Sequence, residues 1–352
     1  MAASVVLNGA RSSARVSDAT RNRIMEVAAR LQYRPNAVAR GLLKGRLNMI
    51  GVVGTVYGGN LDVYFHEILN GILETATDNR QNTSILSVHD WEGSEDRVLE
   101  FCDGRVDGLI FIAPRTLKPE FAKAIQRSVP FVTIHSNASI PGVVDMEADD
   151  EGGAYQAVQY LVALGHRKIA FFPGELYLSG SRRRLEGYKR CLAENGIAYD
   201  DRLVIPGWYT YSSGQDRMAE MLERDSASSF PTALFCANDA IAFGCMEILA
   251  KYRLRVPDDI SVVGFDDTLN ACMTIPALTT VRQPLREMGR RSAARLIDLV
   301  QRRDTRSLDT DATQSSLRPG QTMDMFPVEL IVRGTAGPPP ALPVIPRLLE
   351  RN

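Results

Sequence analysis

The 352-residue sequence lacks the patterns that mark several large protein classes. Its five cysteines are scattered, with no C-x-x-C pair, and it has only four histidines. This composition argues against a disulfide framework and against a zinc site, and it suits reduced thiols in a cytoplasm. No apolar run approaches the roughly 18 residues of a membrane span, and the N-terminal residues lack the order of a secretory signal. We therefore expect a cytoplasmic protein without a membrane segment.

Catalytic motifs are missing as well. The sequence contains no G-x-S-x-G, no G-x-x-x-x-G-K and no His/Cys set with metal-ligand spacing. These absences argue against an enzyme, and we expect neither a metal nor a cofactor. The hydrophobic fraction of 45% and the charged fraction of 24% are those of a soluble globular protein, and the length suits two or three domains.

Charge is distributed unevenly along the chain. Residues 1–46 contain nine Lys/Arg and two acidic residues, a net charge of +7, which leaves −8 for the rest of a chain whose total is −1. A basic segment on an acidic body is the electrostatic pattern of a nucleic-acid binder. The alternative from charge alone is a solvated basic tail.

Residues 231–267 form the most informative stretch. Two apolar runs flank a segment of helical periodicity, so the stretch predicts a strand-helix-strand unit with parallel, buried strands. Asn238 and Asp239 follow the first strand, and Asp266 and Asp267 end the second. Ligands of open parallel sheets bind beyond the carboxyl ends of the strands. These side chains therefore indicate a polar cleft, although turn formation is the alternative for any one of them.

Strands and helices alternate from Asn48 onward, which predicts an α/β fold. The length allows two doubly wound parallel-sheet lobes that face each other across a cleft. Among the predicted elements are a helix over 185–195, a strand over 203–205 and a last strand over 326–332. Before Asn48 the pattern predicts small helices, one of them capped by Ser17 and running to about Gln32.

Eight short motifs lie along nearly the whole chain. They are V-L-N-G at 6–9, Y-R-P-N-A-V-A-R at 33–40, L-G-H-R-K-I-A at 164–170, R-L-E-G-Y at 184–188, N-D at 238–239, V-V-G-F-D-D at 262–267, P-A-L-T-T-V at 276–281 and E-L-I-V-R-G at 329–334. Together, and in this order, they resemble the lactose-repressor/galactose-repressor family of bacterial transcription regulators. Any one motif alone is weak, but the set is highly specific.

The resemblance implies a small all-α DNA-binding headpiece, a hinge helix and a two-lobed, periplasmic-binding-protein-like effector core. We place a partial headpiece at 1–35, the hinge helix and linker at 36–46, one core lobe at 47–148 plus 285–324, the other at 149–284 plus 325–334, and a flexible tail at 335–352. The resemblance also implies a homodimer or a dimer of dimers, with double-stranded operator DNA as partner.

For the effector site, Arg184 matches the family's arginine that projects into the cleft and donates to sugar hydroxyls or a carboxylate. A guanidinium group suits this role because it presents a rigid fork of donors. Asn238 and Asp266 match further cleft positions, whereas Asp239 and Asp267 look more like structural caps. The implied effector is a small molecule, most plainly a sugar or a sugar derivative.

Aromatic residues complete the predicted effector site. Tyr64, Phe65 and Trp208 match positions where rings cover a sugar or stack on a base, with core packing as the alternative for Phe65 and Trp208. His135 stands where the family usually has an acid, and a surface loop histidine is its alternative. An imidazole at this position interacts with different chemical groups of a ligand than a carboxylate would.

For DNA, Leu42 matches the leucine that paired hinge helices wedge into the minor groove, a device that unstacks a base step and bends the duplex. Asn36, Ala39 and Arg40 lie on the same predicted helix. Ser4 and Asn8 match phosphate-contacting positions of the recognition helix. Because Met1 falls inside that helix, we expect the headpiece written here to be incomplete.

These features predict a ligand-responsive transcription regulator, and more specifically a repressor. The alternative is an effector-binding protein of the same fold without DNA-binding function. Operator binding that weakens with salt distinguishes the two.

Overall fold

Two β-sheets organise the chain from Met49 onward, and helices cover both faces of each sheet. The structure is a computed structural model and describes residues 2–8, 16–34, 36, 41, 45–55, 63–89, 91, 93–136, 140–226, 229–306 and 323–341. Strand pairs are parallel, apart from one antiparallel pair at the edge of the second sheet. The predicted α/β fold with two doubly wound lobes is confirmed.

The first lobe contains a six-stranded sheet. Its strands are β1 (Met49–Thr55), β2 (Asn82–Val88), β3 (Gly108–Ile112), β4 (Phe131–Ile134), β5 (Asp145–Ala148) and β10 (Met323–Phe326), in the order β10-β5-β4-β3-β1-β2. Its helices are α3 (Val63–Asp78), α4 (Glu95–Glu100), α5 (Pro119–Ser128) and α10 (Leu285–Arg306).

The second lobe contains a five-stranded sheet. Its strands are β6 (Ile169–Phe172), β7 (Ala233–Cys236), β8 (Ser261–Asp266), β9 (Thr279–Arg282) and β11 (Glu329–Ile331), in the order β11-β9-β8-β7-β6. Its helices are α6 (Asp150–Ala163), α7 (Ser179–Glu194), α8 (Tyr211–Arg224) and α9 (Asp239–Lys251). The chain passes between the sheets three times, after Ala148, after Arg282 and after Phe326.

The central strands are buried along their whole length, since helices pack against both faces. All residues of β3, β4, β7 and β8 are buried. In the first lobe one face packs against Ile68 and Ile72 of α3 and Met288 of α10, and the other against Phe121 and Ile125 of α5. Continuous apolar runs are therefore the sequence signal of these strands, rather than alternation.

Glycines allow α3 and α10 to approach at backbone distance. A methyl group added at Gly71 of α3 would overlap the carbonyl oxygen of Arg286, and one at Gly289 of α10 would overlap that of Ile68. The two contacts are reciprocal, so neither helix can carry a larger side chain there without separating the pair. The close approach places Ile68 and Met288 against the same face of the sheet.

The basic N-terminal segment contains two helices in its described part, α1 (Ala2–Asn8) and α2 (Asp18–Arg30). Ser17 caps α2, because its side chain accepts a hydrogen bond from the Thr20 backbone N–H. The predicted hinge helix lies almost wholly outside the described residues, and so do Ala39, Arg40 and Leu42. Over the residues that are described, no helix is long and apolar enough to cross a membrane.

Three sequence-based elements need correction. The helix predicted over 185–195 begins earlier, at Ser179, so Arg184 lies inside it. The strand predicted over 203–205 is a 3₁₀ turn, Asp201–Leu203, followed by a single bridge between Val204 and Phe171. The last strand predicted over 326–332 is two short strands, β10 and β11, which belong to different sheets. In the two strand cases tertiary pairing overrides the local apolar pattern.

The flexible tail was also predicted to start too early. Thr335 is fully buried, where its hydroxyl donates to the Val262 carbonyl and accepts from the Thr279 N–H. The carbonyl of Gly337 accepts from Ser261 and contacts the buried His166 ring. Residues 335–337 therefore belong to the second lobe. The remaining domain boundaries stay predictions.

The helix pair provides a direct test of this packing. We expect Gly289→Ala to destabilise the chain by about 1–3 kcal/mol, because the added methyl group must push α10 away from the Ile68 carbonyl. Gln301→Ala, at an exposed position of the same helix, should change stability by no more than about 0.5 kcal/mol. Urea unfolding of both variants measures the difference. Equal stabilities would show that the helices separate without loss.

Candidate functional site

The predicted effector residues gather where the carboxyl ends of the two sheets meet. His135 follows β4 of the first lobe, while Asp266 ends β8 and Asn238 precedes α9 in the second. Arg184 lies on α7 and is only 6% exposed. The site therefore draws on both lobes, at the position expected for a ligand of parallel sheets.

Arg184 is held on all sides. Its Nε and Nη2 donate to Asp150 Oδ1 at 2.9 Å each, and its Nη1 donates to the carbonyl of Ala237. Its guanidinium lies 3.9 Å from the centre of the Phe265 ring. Burial alone would lower the pKa of Arg184, but Asp150 raises it above its usual value. The charge is thus permanent and already balanced by Asp150.

Asp150, which the sequence did not single out, connects two arginines. Its Oδ2 accepts from Arg183 Nη2 at 2.7 Å, and its Oδ1 accepts from Arg184. Burial acts to raise the pKa of Asp150, but Arg184 and Arg183 outweigh it and hold the pKa below its usual value. The signal available in the sequence was its position at the start of α6, directly after a crossing between lobes.

Arg183 also donates to Glu147 of β5, so the cluster extends into the first lobe. Burial, with the charge of Asp145 added, raises the pKa of Glu147 to about 10, and burial raises that of Asp145 as well. The cluster therefore contains three carboxyl groups and two guanidinium groups, and one carboxyl keeps its proton at neutral pH. The crossing between lobes is consequently close to charge balance.

His135 is a neutral polar group in the cleft. Its Nδ1 hydrogen-bonds the hydroxyl of Tyr64, and its buried Nε2 has no hydrogen-bond partner. Burial lowers its pKa to about 4; Asp150 opposes the shift, and Arg184 and Arg183 add to it. At neutral pH the ring offers one hydrogen-bonding atom and no charge. Its φ of 51° lies in the left-handed region, where non-glycine residues are uncommon outside special sites.

Asp266 pairs with Gln283, a second residue that the sequence did not single out. Gln283 Nε2 donates to Asp266 Oδ1 at 2.6 Å, and Gln283 Oε1 is buried without a partner. Asp266 has a φ of 118°, a strained backbone conformation for a non-glycine residue. Gln283 directly follows β9, so the rule of polar residues at strand ends could have identified it.

Asn238 has a structural role that does not require a ligand. Its Oδ1 caps α9 by accepting from the Ile241 N–H at 2.8 Å, and its Nδ2 donates to the Tyr209 carbonyl at 3.2 Å. Asp239 is buried among the Thr268 and Thr280 hydroxyls, and burial raises its pKa to about 7. Asp239 was expected to be a structural cap, but the cap of α9 is Asn238, and Asp239 instead bonds Thr268 and Thr280 within the second lobe.

The three aromatic candidates differ in exposure and in the residues that they contact. Phe65 is 4% exposed and packs on Gly54 in the core of the first lobe, which favours its core alternative. Trp208 is 58% exposed, and Arg115 lies 5.7 Å from its ring centre. Tyr64 contacts His135 with ring centres 5.8 Å apart. Of the three, Trp208 and Tyr64 are thus the rings that are not fully buried.

The described DNA-binding candidates lie on the N-terminal segment. Ser4 is exposed on α1, Asn8 is the last residue of α1, and Asn36 is exposed.

Comparisons with known proteins agree with this geometry. A family model described as a periplasmic binding protein-like domain matches residues 158–335. Catabolite control protein A of Priestia megaterium is 33% identical over 286 residues, 81% of this chain and 83% of that protein. The lac repressor dimer bound to operator and the anti-inducer ONPF superimposes with a TM-score of 0.74 at 30% identity, covering 95% of this chain and 94% of that chain. The transcriptional regulator CelR in complex with cellobiose superimposes with a TM-score of 0.68 at 26% identity over the same shares.

The protonated carboxyl at the crossing predicts a pH dependence. When the pKa of a group is higher in the folded chain than in the unfolded chain, the group stabilises the fold only while it stays protonated. For Glu147 this contribution is complete below the pKa of the unfolded chain, near 4.5, and is lost as pH rises toward the pKa of the folded chain, about 10. Glu147→Gln imitates the protonated form and removes this loss. Between about pH 5 and pH 9 the variant should lose less stability than the wild type, by up to about 1.4 kcal/mol per pH unit.

Urea unfolding at several pH values measures this slope. Glu100→Gln is the matched control, because the Glu100 side chain is 57% exposed on α4. A Glu147→Gln slope that parallels the wild type would mean that Glu147 is ionised in the folded chain.

Proposed function

Because this chain belongs to the lactose-repressor/galactose-repressor family of transcription regulators, we propose that it is a cytoplasmic, homodimeric repressor that responds to a sugar or sugar derivative. The effector binds in the cleft between the two lobes. Binding changes the separation of the lobes, and the hinge helices pass that change to operator DNA. As a regulator of this family the chain is not an enzyme.

One observation carries the choice of a hydroxyl-rich effector. The cleft presents fixed hydrogen-bonding atoms whose charges are already balanced: Arg184 pairs with Asp150, and His135 is neutral. His135 Nε2 and Gln283 Oε1 are buried without partners, which is costly unless a ligand satisfies them. Sugar hydroxyls both donate and accept, and the exposed Trp208 ring suits the apolar face of a sugar. The cellobiose in the CelR complex is a compound of this class.

The proposed subunit contact lies on the second lobe. Leu269, Met273 and Ile275 are exposed, and Ile275 is 98% exposed. A cluster of exposed large apolar side chains marks an interaction site on a soluble protein. A second copy of the chain is the proposed occupant, as in the lac repressor dimer that this fold resembles. Size-exclusion chromatography with light scattering on Ile275→Asp measures the contribution of this surface.

The proposed DNA contacts lie in the basic segment before residue 47. Ser4 and Asn8 contact phosphates, Asn36, Ala39 and Arg40 lie along the duplex, and Leu42 enters the minor groove. The net charge of +7 over residues 1–46 supports a strong electrostatic contribution to binding.

A thermal-shift screen identifies the effector. Neutral sugars, sugar acids, polyols and purines are tested separately, and a true ligand at 100 times its Kd should add about 2.7 kcal/mol of stability. Neutral sugars should shift the transition, because among the described residues each arginine of the cleft pairs with a carboxyl group. A response limited to purines or sugar acids would contradict it.

Trp208 provides the cleanest test of the site, because its ring is exposed and its loss leaves no buried gap. Trp208→Ala should weaken binding of the compound found by the screen by roughly 1–2 kcal/mol, about tenfold, without lowering stability. Tyr199→Ala is the control, since Tyr199 is an exposed ring of the same lobe that packs edge-on against Tyr188. Calorimetry that finds equal affinities for both variants would exclude Trp208 from the site.

Two substitutions distinguish the proposed DNA contacts. Leu42→Ala should weaken operator binding about tenfold or more while leaving random DNA binding unchanged, because the wedge acts only in the bent, specific complex. Arg40→Ala should weaken both and reduce the salt slope by about one, as expected for a phosphate contact. Fluorescence anisotropy across a salt series measures both effects. A Leu42→Ala variant that loses random and operator binding equally would contradict the wedge.

A further inference from the structure

A second set of contacts joins the two lobes across the cleft, apart from the three chain crossings. Arg115 lies between β3 and α5 of the first lobe, and Glu175 lies between β6 and α7 of the second. Arg115 Nη1 forms an ion pair with Glu175 Oε1. The Arg115 side chain is 15% exposed and that of Glu175 is 3% exposed. This is a largely buried ion pair between parts of the chain that belong to different sheets.

Contacts within the second lobe hold Glu175 in position independently of Arg115. Its Oε2 accepts from the Tyr209 backbone N–H at 3.1 Å, and its Oε1 accepts from the Tyr177 hydroxyl at 3.2 Å. Arg115 Nη1 also donates to the Tyr177 hydroxyl at 3.0 Å, and its guanidinium faces Trp208. The arginine therefore enters a preformed acceptor site, which reduces the entropy lost on pairing.

The same segment of the second lobe reaches the first lobe at two more points. The Ser179 hydroxyl donates to the Ser136 carbonyl at 3.4 Å, and Arg183 donates to Glu147. The contact of Arg183 lies beside the chain crossing, whereas that of Arg115 lies at the exposed Trp208. Because these contacts lie at separate points between the lobes, together they oppose opening of the cleft.

Burial determines which of these contacts matters most. Exposed ion pairs contribute little, as expected for Arg97–Glu100, whose side chains are 58% and 57% exposed. Removing one partner of a buried pair leaves an uncompensated charge, which the chain can relieve by exposing it to water. Separation of the lobes would expose both Arg115 and Glu175 to water.

We propose that Arg115 and Glu175 form an interlobe clasp that holds the cleft closed, so that the chain's own ion pair sets how far the lobes open. Effector exchange then requires the clasp to break. The regulatory part of this proposal rests on the proposed effector site, since a ligand that binds the closed form gains apparent affinity when the closed population rises. The effect on lobe opening does not depend on any ligand.

The test compares the full chain with Arg115→Gln, Glu175→Gln and the double variant. Small-angle scattering should show a larger radius of gyration for each single variant than for the wild type. Because both substitutions break the same contact, the double variant should open no further than either single variant. Arg97→Gln and Glu100→Gln, which break the exposed pair of the first lobe, should leave the scattering profile unchanged.

Tryptophan fluorescence gives an independent readout. The chain contains two tryptophans: Trp91 is buried in the first lobe, and Trp208 lies beside the clasp. Acrylamide should quench Trp208 more strongly in Glu175→Gln, which keeps the Arg115 side chain but releases it. The same variant with Trp208→Phe assigns the change, because only Trp91 then remains.

The clasp is overturned if the clasp variants, shown to be folded by their unfolding transitions, scatter like the wild type. It is also overturned if the two single variants open the cleft additively. None of these measurements uses an effector. If the clasp variants open while the ligand screen finds no compound, the proposed effector class fails and the clasp stands. If a sugar binds while the profiles superimpose, the clasp fails and the proposed function stands.

Discussion

The buried carboxylate of Asp150 is the interaction on which the rest of the cleft depends. Asp150 is the first residue of α6, two positions after a crossing between lobes, and it accepts hydrogen bonds from Arg183 and Arg184. The Arg184 guanidinium can remain buried because this carboxylate compensates its charge, while the partly exposed Arg183 pairs with the same carboxylate from the other side. Arg184 is in turn fixed against the Phe265 ring and the Ala237 carbonyl. Through Arg183 the same carboxylate is linked to Glu147 of the first lobe.

Packing inside each lobe differs from the contacts between the lobes. Within the first lobe, α3 and α10 approach each other at backbone distance at Gly71 and Gly289. Between lobes the contacts are polar, and they include the Arg115–Glu175 pair and the Ser179–Ser136 hydrogen bond. Packed cores resist continuous deformation, so a ligand in the cleft acts mainly on the separation of the lobes.

Charge balance gives the cleft its chemical character. The arginines that approach it, Arg115, Arg183 and Arg184, each pair with a carboxyl group, and His135 is neutral because burial lowers its pKa. A site of this kind provides direction through hydrogen bonds without excess charge. It favours ligands that exchange one set of neutral hydrogen bonds for another, which is the property of hydroxyl-rich molecules.

Local patterns in the sequence determined the fold class, the helix cap Ser17 and the family, because periodicity and motif order are properties of neighbouring residues. They also indicated Arg184 and Asp266 as candidate effector residues, whereas Asp150, Gln283 and Glu175 were not predicted from the sequence. Only the tertiary structure decided that Phe65 is a core residue, that β10 and β11 belong to different sheets, and that Arg115 meets Glu175. Burial and pairing with residues 34 positions away, as for Arg184 and Asp150, or 71 away, as for His135 and Tyr64, set these roles. Such pairs depend on how sheets and helices pack, and no local pattern encodes that packing.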